Sequence, residues 1–351
     1  MFLETLNTLL RGSSLDETQA FQVMNDIMSG NVVPAQIAAI LTALRIKGET
    51  ADEITGLAKG MRQYARKVQL DDLEALDTCG TGGDGSNTFN ISTAAAFVIA
   101  ACGQPVAKHG NRAATSLCGS ADVLEALGAK IDLDPADVAQ TVRESGFGFM
   151  FAPAYHPSMK YAAPVRKELG FRTVFNILGP LTNPSQTPYQ LLGAPKSSLV
   201  PIMAEALLRL GVHRALVVHG EDGVDEFSLQ AKTRVAEISG AKGTIREYTV
   251  DPQEMGLTTA PLSALRGGDA KTNAAIIRGV LSGEITGPQA DVIALNAGAA
   301  LYISGKAKSI KDGVKLAKSH MNPNGALQTM GKFIALSQDL AATRMQSYAA
   351  N

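Results

Sequence analysis

From Ala75 onward, short β-like runs alternate with helical segments: ALDTC, PVAKHG, GAKID, FGFMFA, QLLGA and ALVVHG. Parallel strands need a crossover between them, usually a helix, so this rhythm predicts an α/β fold with a mostly parallel central sheet flanked by helices. Ligands of such sheets gather beyond the carboxyl ends of the strands. The chain before Ala75 reads differently. Leu3, Leu6, Leu9 and Leu10 recur at helical spacing until Gly12; Ser14 with Glu17 and Thr50 with Glu53 have capping-box spacing; Pro34 opens a helix that stops at Gly48. These signals predict a small helical bundle, and Gly287 to Gln346 also reads as largely helical.

The first strand-like run passes into DTCGTGGDGSNTFNIST, Asp77 to Thr93, and then into the alanine-rich helix AAAFVIAAC. Gly80, Gly82, Gly83 and Gly85 can adopt backbone angles closed to other residues, so that successive N–H groups converge on one anion. Asn90, Ser92 and Thr93 stand where a helix N-terminus offers unpaired donors and partial positive charge. The segment lacks the Gly-Lys-Ser/Thr ending of a P-loop and the spacing of GxGxxG, which disfavours a nucleotide triphosphatase or a dinucleotide-binding fold. A flexible turn is the plain alternative. Asp84 argues against it, because a carboxylate inside an anion site is repulsive unless a divalent cation lies between the two.

Three further clusters follow. KHGNRAATS, Lys108 to Ser116, continues to Ser120 and offers Lys108 and Arg112 as cations, with Asn111, Thr115, Ser116 and Ser120 as polar partners; it is a solvated loop unless its place after a strand end matters. In VVHGEDGVDEFSL an apolar strand runs into Asp222, Asp225 and Glu226 before helical patterning is expected to resume. One or two adjacent carboxylates plus substrate phosphates suffice for magnesium, while the same residues suit a first helical turn. HPSMKYAAPVRKELGFRTVFNILGPLTNP carries His156, Arg166, Arg172 and Pro180; an arginine there can fork onto a carboxylate or simply make a local ion pair.

Composition narrows the class. With 32 basic against 33 acidic residues in 351, nothing suggests a nucleic-acid footprint. Cys79, Cys102 and Cys118 form no CxxC pair, which fits a reducing cytoplasm. MFLETLNTLLRG lacks the basic start and long apolar core of a signal peptide, and no apolar run is long enough to span a bilayer, so no membrane association is expected.

Taken together and in order, GTGGDGSNTFNIST, KHGNR, the His156 to Pro184 run and DGVDEFS resemble the anthranilate phosphoribosyltransferase family, over nearly the whole chain. The resemblance implies the nucleoside phosphorylase/phosphoribosyltransferase type of fold. Residues 1–70 plus about 160–185 would form the small helical domain, and 71–159 plus 186–351 the α/β domain. It implies transfer of the phosphoribosyl group from 5-phosphoribosyl 1-diphosphate to the amine of anthranilate, in tryptophan biosynthesis, with diphosphate released.

On the matching positions, Gly80, Gly83, Asp84, Thr88, Asn90, Ile91, Ser92 and Thr93 would hold the sugar diphosphate. Lys108, His109, Gly110, Asn111, Arg112, Ala113, Ala114, Thr115, Ser116 and Ser120 would complete that pocket. Ser92 and Glu226 would bind one magnesium ion, and Asp225 with Glu226 a second. Gly80, Asn111 and Arg166 would meet anthranilate. His109 would line the acceptor tunnel or simply pack beside a glycine turn. Lys108, Asp225 and Glu226 would carry catalysis, with closure of the two domains assembling the site.

A homodimer through the small domain is implied as well. Members often carry a serine and a basic residue where this chain has Ala113 and Leu117, which implies backbone-only phosphate contacts there. A pyrimidine nucleoside phosphorylase and a non-catalytic sensor of phosphoribosyl compounds are the rival readings; the Ser92, Asp225 and Glu226 set weighs against the second.

Overall fold

The computed structural model describes residues 2–113, 116–240 and 243–349. Four helices open the chain: α1 (Phe2–Leu10), α2 (Glu17–Met28), α3 (Pro34–Lys47) and α4 (Ala51–Gln63). Helix α4 starts as its sequence predicts. Thr50 Oγ1 accepts the Glu53 amide at 3.3 Å, and Glu53 Oε2 accepts the Thr50 amide at 2.8 Å. Glu53 is fully buried and also accepts the Leu15 amide at 3.0 Å and the Lys47 ammonium at 2.9 Å, so one carboxylate ties three helices together.

The cap of α2 falls elsewhere than on Ser14 and Glu17. Asp16 and Gln19 form the reciprocal box, because Leu15 is drawn into the core and the helix begins after it. Helices α2 and α4 cross closely at two glycines: a Cβ on Gly56 would lie 2.2 Å from the Glu17 carbonyl, and one on Gly60 2.7 Å from Met24 Cβ. Replacing Thr50 by Ala should cost about 1 kcal/mol of stability through the lost cap, read as a shift of the urea midpoint at constant slope.

The sheet has seven strands in the order β3-β2-β1-β4-β5-β6-β7. Strands β1 (Leu76–Gly80), β2 (Val106–Gly110), β3 (Phe147–Phe151), β4 (Tyr189–Gly193) and β5 (Arg214–Gly220) are parallel. The remaining two, β6 (Thr233–Ser239) and β7 (Thr244–Val250), add an antiparallel hairpin at the edge. Sequence patterning placed helix after Glu226, whereas strands follow. TRVAEIS and TIREYTV are β-branched runs joined by a glycine-bounded link, and that was the available signal.

GAKID is the opposite correction. Ala129, Ile131 and Leu133 are buried alternately, as in a strand. Their partner is the C-terminal helix: the Lys130 amide donates to Ser337 Oγ at 3.0 Å, and Arg344 donates to the Asp132 carbonyl at 2.6 Å. The alternation is real, but what covers it is a helix face.

One large apolar cluster joins the helix α5 (Ile91–Ala101) to the C-terminal helices over one sheet face. A second joins α2, α3 and α4 to Val165, Val174, Phe175, Leu178 and Leu181, and continues onto Leu192, Val217 and Ala236 of the other face. Among the described residues no helix is long and apolar enough to cross a membrane.

Candidate functional site

The chain reverses its direction of growth between β1 and β4, β2 and β3 lying to one side and β5 to the other. Crevices at such switch points receive ligands, because the loops leaving the two central strands diverge. Here both strands end in glycine, Gly80 and Gly193, which are partners in register. Neither carries a side chain, and Asp225 fills the space. A Cβ on Gly80 would lie 2.4 Å from Asp225 Oδ2, and one on Gly193 1.6 Å from the Asp225 carbonyl oxygen. The Gly82 amide donates to Asp225 Oδ2 at 2.6 Å, and the Asp225 amide lies 3.4 Å from Asp84 Oδ2.

The glycine loop therefore meets the acidic segment, although 143 residues separate Gly82 from Asp225. Gly82, Gly83 and Gly85 have positive φ of 66°, 71° and 77°, the left-handed region that other residues adopt at a cost. Arg172 holds the loop from outside, its two terminal nitrogens donating to the Gly82 and Gly83 carbonyls at 2.8 and 2.6 Å. Three amides of the loop are already engaged: Thr81 donates to the Gly193 carbonyl at 3.1 Å, Gly82 to Asp225, and Ser86 to Asp84 Oδ1 at 3.2 Å.

Lys108 is almost wholly buried in the middle of β2. Its ammonium donates to the Thr78 carbonyl and, at 3.2 Å, to Ser92 Oγ on the first turn of α5. Glu226 faces the same spot. Burial foremost, and then the Asp225 charge, raise its pKa, while Lys108 and the Ser92 N–H pull the other way. Asp225 is likewise raised by burial and by Asp84. Two adjacent carboxylates thus stand with less positive charge around them than they need. Among the described residues no three carboxylate, imidazole or thiol groups could together hold a metal. Two carboxylates and the Ser92 hydroxyl fit magnesium that completes its shell with water and substrate oxygens.

The second loop is braced by Asp122 at the start of α6 (Ser120–Leu127), whose Oδ2 accepts the Ala113 and Gly119 amides at 2.9 and 2.8 Å. Asn90 crosses from the first loop, donating to the Cys118 carbonyl at 3.1 Å, and Thr93 Oγ1 lies 3.2 Å from Ser120 Oγ. Thr88 bridges to Arg266 beside the loop exit. Arg112 is an exception to the expected array. Its guanidinium is turned onto Asp122 and Glu125, so its charge is already balanced by α6. Asn111 is exposed with its carboxamide oxygen accepting the Arg112 amide at 2.7 Å, Ser116 is exposed, and Ala114 and Thr115 lie outside the described residues.

Arg166 lies on the helix Ala163–Leu169. Its guanidinium carbon sits 5.2 Å from the Phe175 ring centre, burial lowers its pKa, and no carboxylate pairs with it among the described residues. An arginine so placed has its donor fork open to an incoming carboxylate. His156, to which sequence reasoning gave no role, stands out: its ring lies 5.0 Å from His109, both have an unpaired Nε2, and burial pushes their pKa values down to about 4 and about 3. Both imidazoles are neutral at pH 7. His109 is held by the Gly179 carbonyl at 3.2 Å from Nδ1, and the Thr173 hydroxyl is also without a partner.

Known proteins share the sequence and the fold. Residues 72–327 match the glycosyl transferase family a/b domain, and residues 3–65 its helical bundle domain. An anthranilate phosphoribosyltransferase of Rubrobacter xylanophilus is 51% identical over 97% of this chain and 99% of its own length. The crystal structure of the anthranilate phosphoribosyltransferase of Thermus thermophilus superposes with a TM-score of 0.89 at 46% identity, covering 95% of this chain and 99% of that one. The Saccharomyces cerevisiae enzyme in complex with PRPP and Mg has a TM-score of 0.88 at 29% identity, covering 96% and 98%. With a matching loop order, a matching fold and this identity over almost every residue, the chain belongs to the anthranilate phosphoribosyltransferase family.

Proposed function

We propose that this enzyme transfers the phosphoribosyl group of 5-phosphoribosyl 1-diphosphate to the amine of anthranilate, releasing diphosphate, as a step of tryptophan biosynthesis. The observation that carries this reading is the meeting of the Gly80–Gly85 loop, the Lys108 ammonium and the Asp225–Glu226 pair at one switch point; Arg166 over the Phe175 ring and the adjacent neutral pair His109 and His156 add to it. Loop amides and the first turn of α5 would cradle the sugar diphosphate. Asp225, Glu226 and Ser92 would hold two magnesium ions, Glu226 shared between them.

Breaking the bond from the anomeric carbon to diphosphate builds negative charge on the leaving group and oxocarbenium character on the ribose. Magnesium, when bound, neutralises that leaving-group charge. Lys108 adds a fixed cation that needs no reorganisation, because Thr78 and Ser92 already orient it. Arg166 would take the anthranilate carboxylate and Asn111 would help place the amine. An aromatic amine is neutral at pH 7, so it needs no strong base; neutral His109 and His156 can line its pocket without setting a positive charge against the cationic ribose. The expected course is a dissociative displacement with inversion at the sugar.

Residues 1–70 with about 160–185 are read as the small domain, supported by the apolar cluster that α2, α3 and α4 share with Val165 and Val174–Leu181. Arg172 would couple its closure to the glycine loop. Leu3, Leu10, Val33 and Ile46 are exposed on or beside α1 and α3, which favours a second copy of the chain as their cover. Three free cysteines favour the cytoplasm.

Loss of anthranilate fluorescence on adding the sugar diphosphate and magnesium tests the activity directly; no loss would overturn it. Arg166→Ala should raise the KM for anthranilate about 10-fold, the worth of one charge-assisted contact, with kcat and the KM for the sugar diphosphate nearly unchanged. Unchanged anthranilate kinetics would remove Arg166 from the acceptor site.

A further inference from the structure

Glu226 sits between two anchors. One is Asp225, wedged against Gly80 and Gly193. The other is Phe227, whose backbone belongs to no helix or strand and so must find its hydrogen bonds elsewhere. It finds them on a single side chain. Asn296 Oδ1 accepts the Phe227 N–H at 3.0 Å, and Asn296 Nδ2 donates to the Phe227 carbonyl at 3.3 Å and to the Val292 carbonyl at 3.0 Å. Asn296 and Phe227 are both fully buried, so no water can take over these bonds. The helix Pro288–Ile303 that carries Asn296 is buried on nearly every face and offers a rigid base.

We propose that Asn296 is a positioning residue that clamps the Phe227 peptide and thereby fixes where the Glu226 and Asp225 carboxylates stand relative to Ser92 and Lys108. The inference rests on the reading of those carboxylates as magnesium ligands. A carboxamide suits the task because it offers a donor and an acceptor side by side, matching the N–H and C=O of one residue. A serine hydroxyl carries both functions on one oxygen one bond nearer the backbone, which cannot span the N–H and the C=O together, and an aliphatic side chain offers neither. On the far side of the segment, Ser228 Oγ accepts the Gln230 and Ala231 amides at 2.9 and 3.1 Å and donates to Asp222 Oδ2 at 2.7 Å, so the clamp completes a segment held at both ends.

The test compares Asn296→Ser with Val292→Ala, a cavity on the same helix that leaves the clamp in place. In ligand-free protein, amide exchange of the peptide spanning 224–229 should accelerate in Asn296→Ser and stay parental in Val292→Ala. Half-saturation by Mn2+, read by electron paramagnetic resonance in the presence of the sugar diphosphate, should weaken at least about 10-fold in Asn296→Ser alone, the usual scale when the support of a metal ligand is lost. The KM for anthranilate should not move.

Loss of thermal stability in both variants with parental exchange and Mn2+ binding would overturn the proposal. Should Asn296→Ser not fold, the wild-type Phe227 amide decides: exchange only through global unfolding supports the clamp, and fast exchange like that of an exposed loop amide overturns it. If instead Asp225→Asn/Glu226→Gln keeps full metal dependence, the metal reading itself falls. If that double variant is inactive while Asn296→Ser behaves as wild type, only the clamp falls.

Discussion

Asp225→Asn combined with Glu226→Gln should lower turnover about 100- to 1,000-fold, since a bound cation contributes several kcal/mol to a transition state that expels diphosphate and each 1.4 kcal/mol is about tenfold. The same variant should fold normally. In the parent, burial raises both pKa values, with the Asp84 charge adding to it at Asp225 and the Asp225 charge at Glu226, so the ionised pair is unfavourable until a cation arrives. Neutral carboxamides of the same shape remove these buried charges, and thermal unfolding near pH 8 without metal should be no lower than in the parent. The pKa direction also sets the sign of a pH effect. A cation that needs both groups ionised must displace protons, so the magnesium concentration for half-maximal rate should rise as pH falls from 8 to about 6. A variant with near-parental turnover, or a magnesium requirement independent of pH, would refute the assignment.

Gly193→Ala should reduce kcat/KM about 100-fold, through displacement of Asp225 on the order of 1 Å and without touching any substrate. The new Cβ would lie 1.6 Å from the Asp225 carbonyl oxygen and 2.4 Å from its carbonyl carbon, which are backbone atoms that cannot swing aside. Strand β4 cannot retreat either, because Gly193 is paired with Gly80 on one side and Val218 on the other. The acidic segment must therefore shift, at a cost of about 1–3 kcal/mol in stability as in other overpacked sites. The control is Gly80→Ala, whose Cβ would meet the end of the Asp225 side chain at 2.4 Å, a group that can rotate. Its stability loss should be the smaller of the two. Parental activity in Gly193→Ala would show that the glycine pair does not set the carboxylate's position.

Several elements were readable locally. The Thr50 cap, the helix between Pro34 and Gly48, and five parallel strands follow from capping, periodicity and glycine punctuation, all of which act over a few residues. The Asp16 box lay two residues from its expected place because burial of Leu15, a tertiary effect, chose between two nearly equal polar starts. GAKID carried strand alternation onto a helix surface, since periodicity reports that one face is covered but not by what. The edge hairpin β6–β7 was hidden behind the acidic cluster, whose residues suit a first helical turn as well as a loop.

The candidate site divides along the same line. The order of the glycine loop, KHGNR, the Arg166 segment and DGVDEF determined the family, the α/β class and the residue types available for phosphate, carboxylate and magnesium. Only the tertiary structure decided that Asp225 fits between Gly80 and Gly193, that Arg112 spends its charge on α6 while Arg166 keeps its fork open, and that Asn296 holds Phe227 from 69 residues away. The physical reason is one of range. Glycine conformations, caps and residue chemistry are encoded within a few positions, whereas which groups share a buried space depends on strand order and helix packing, and those are set by the whole core at once.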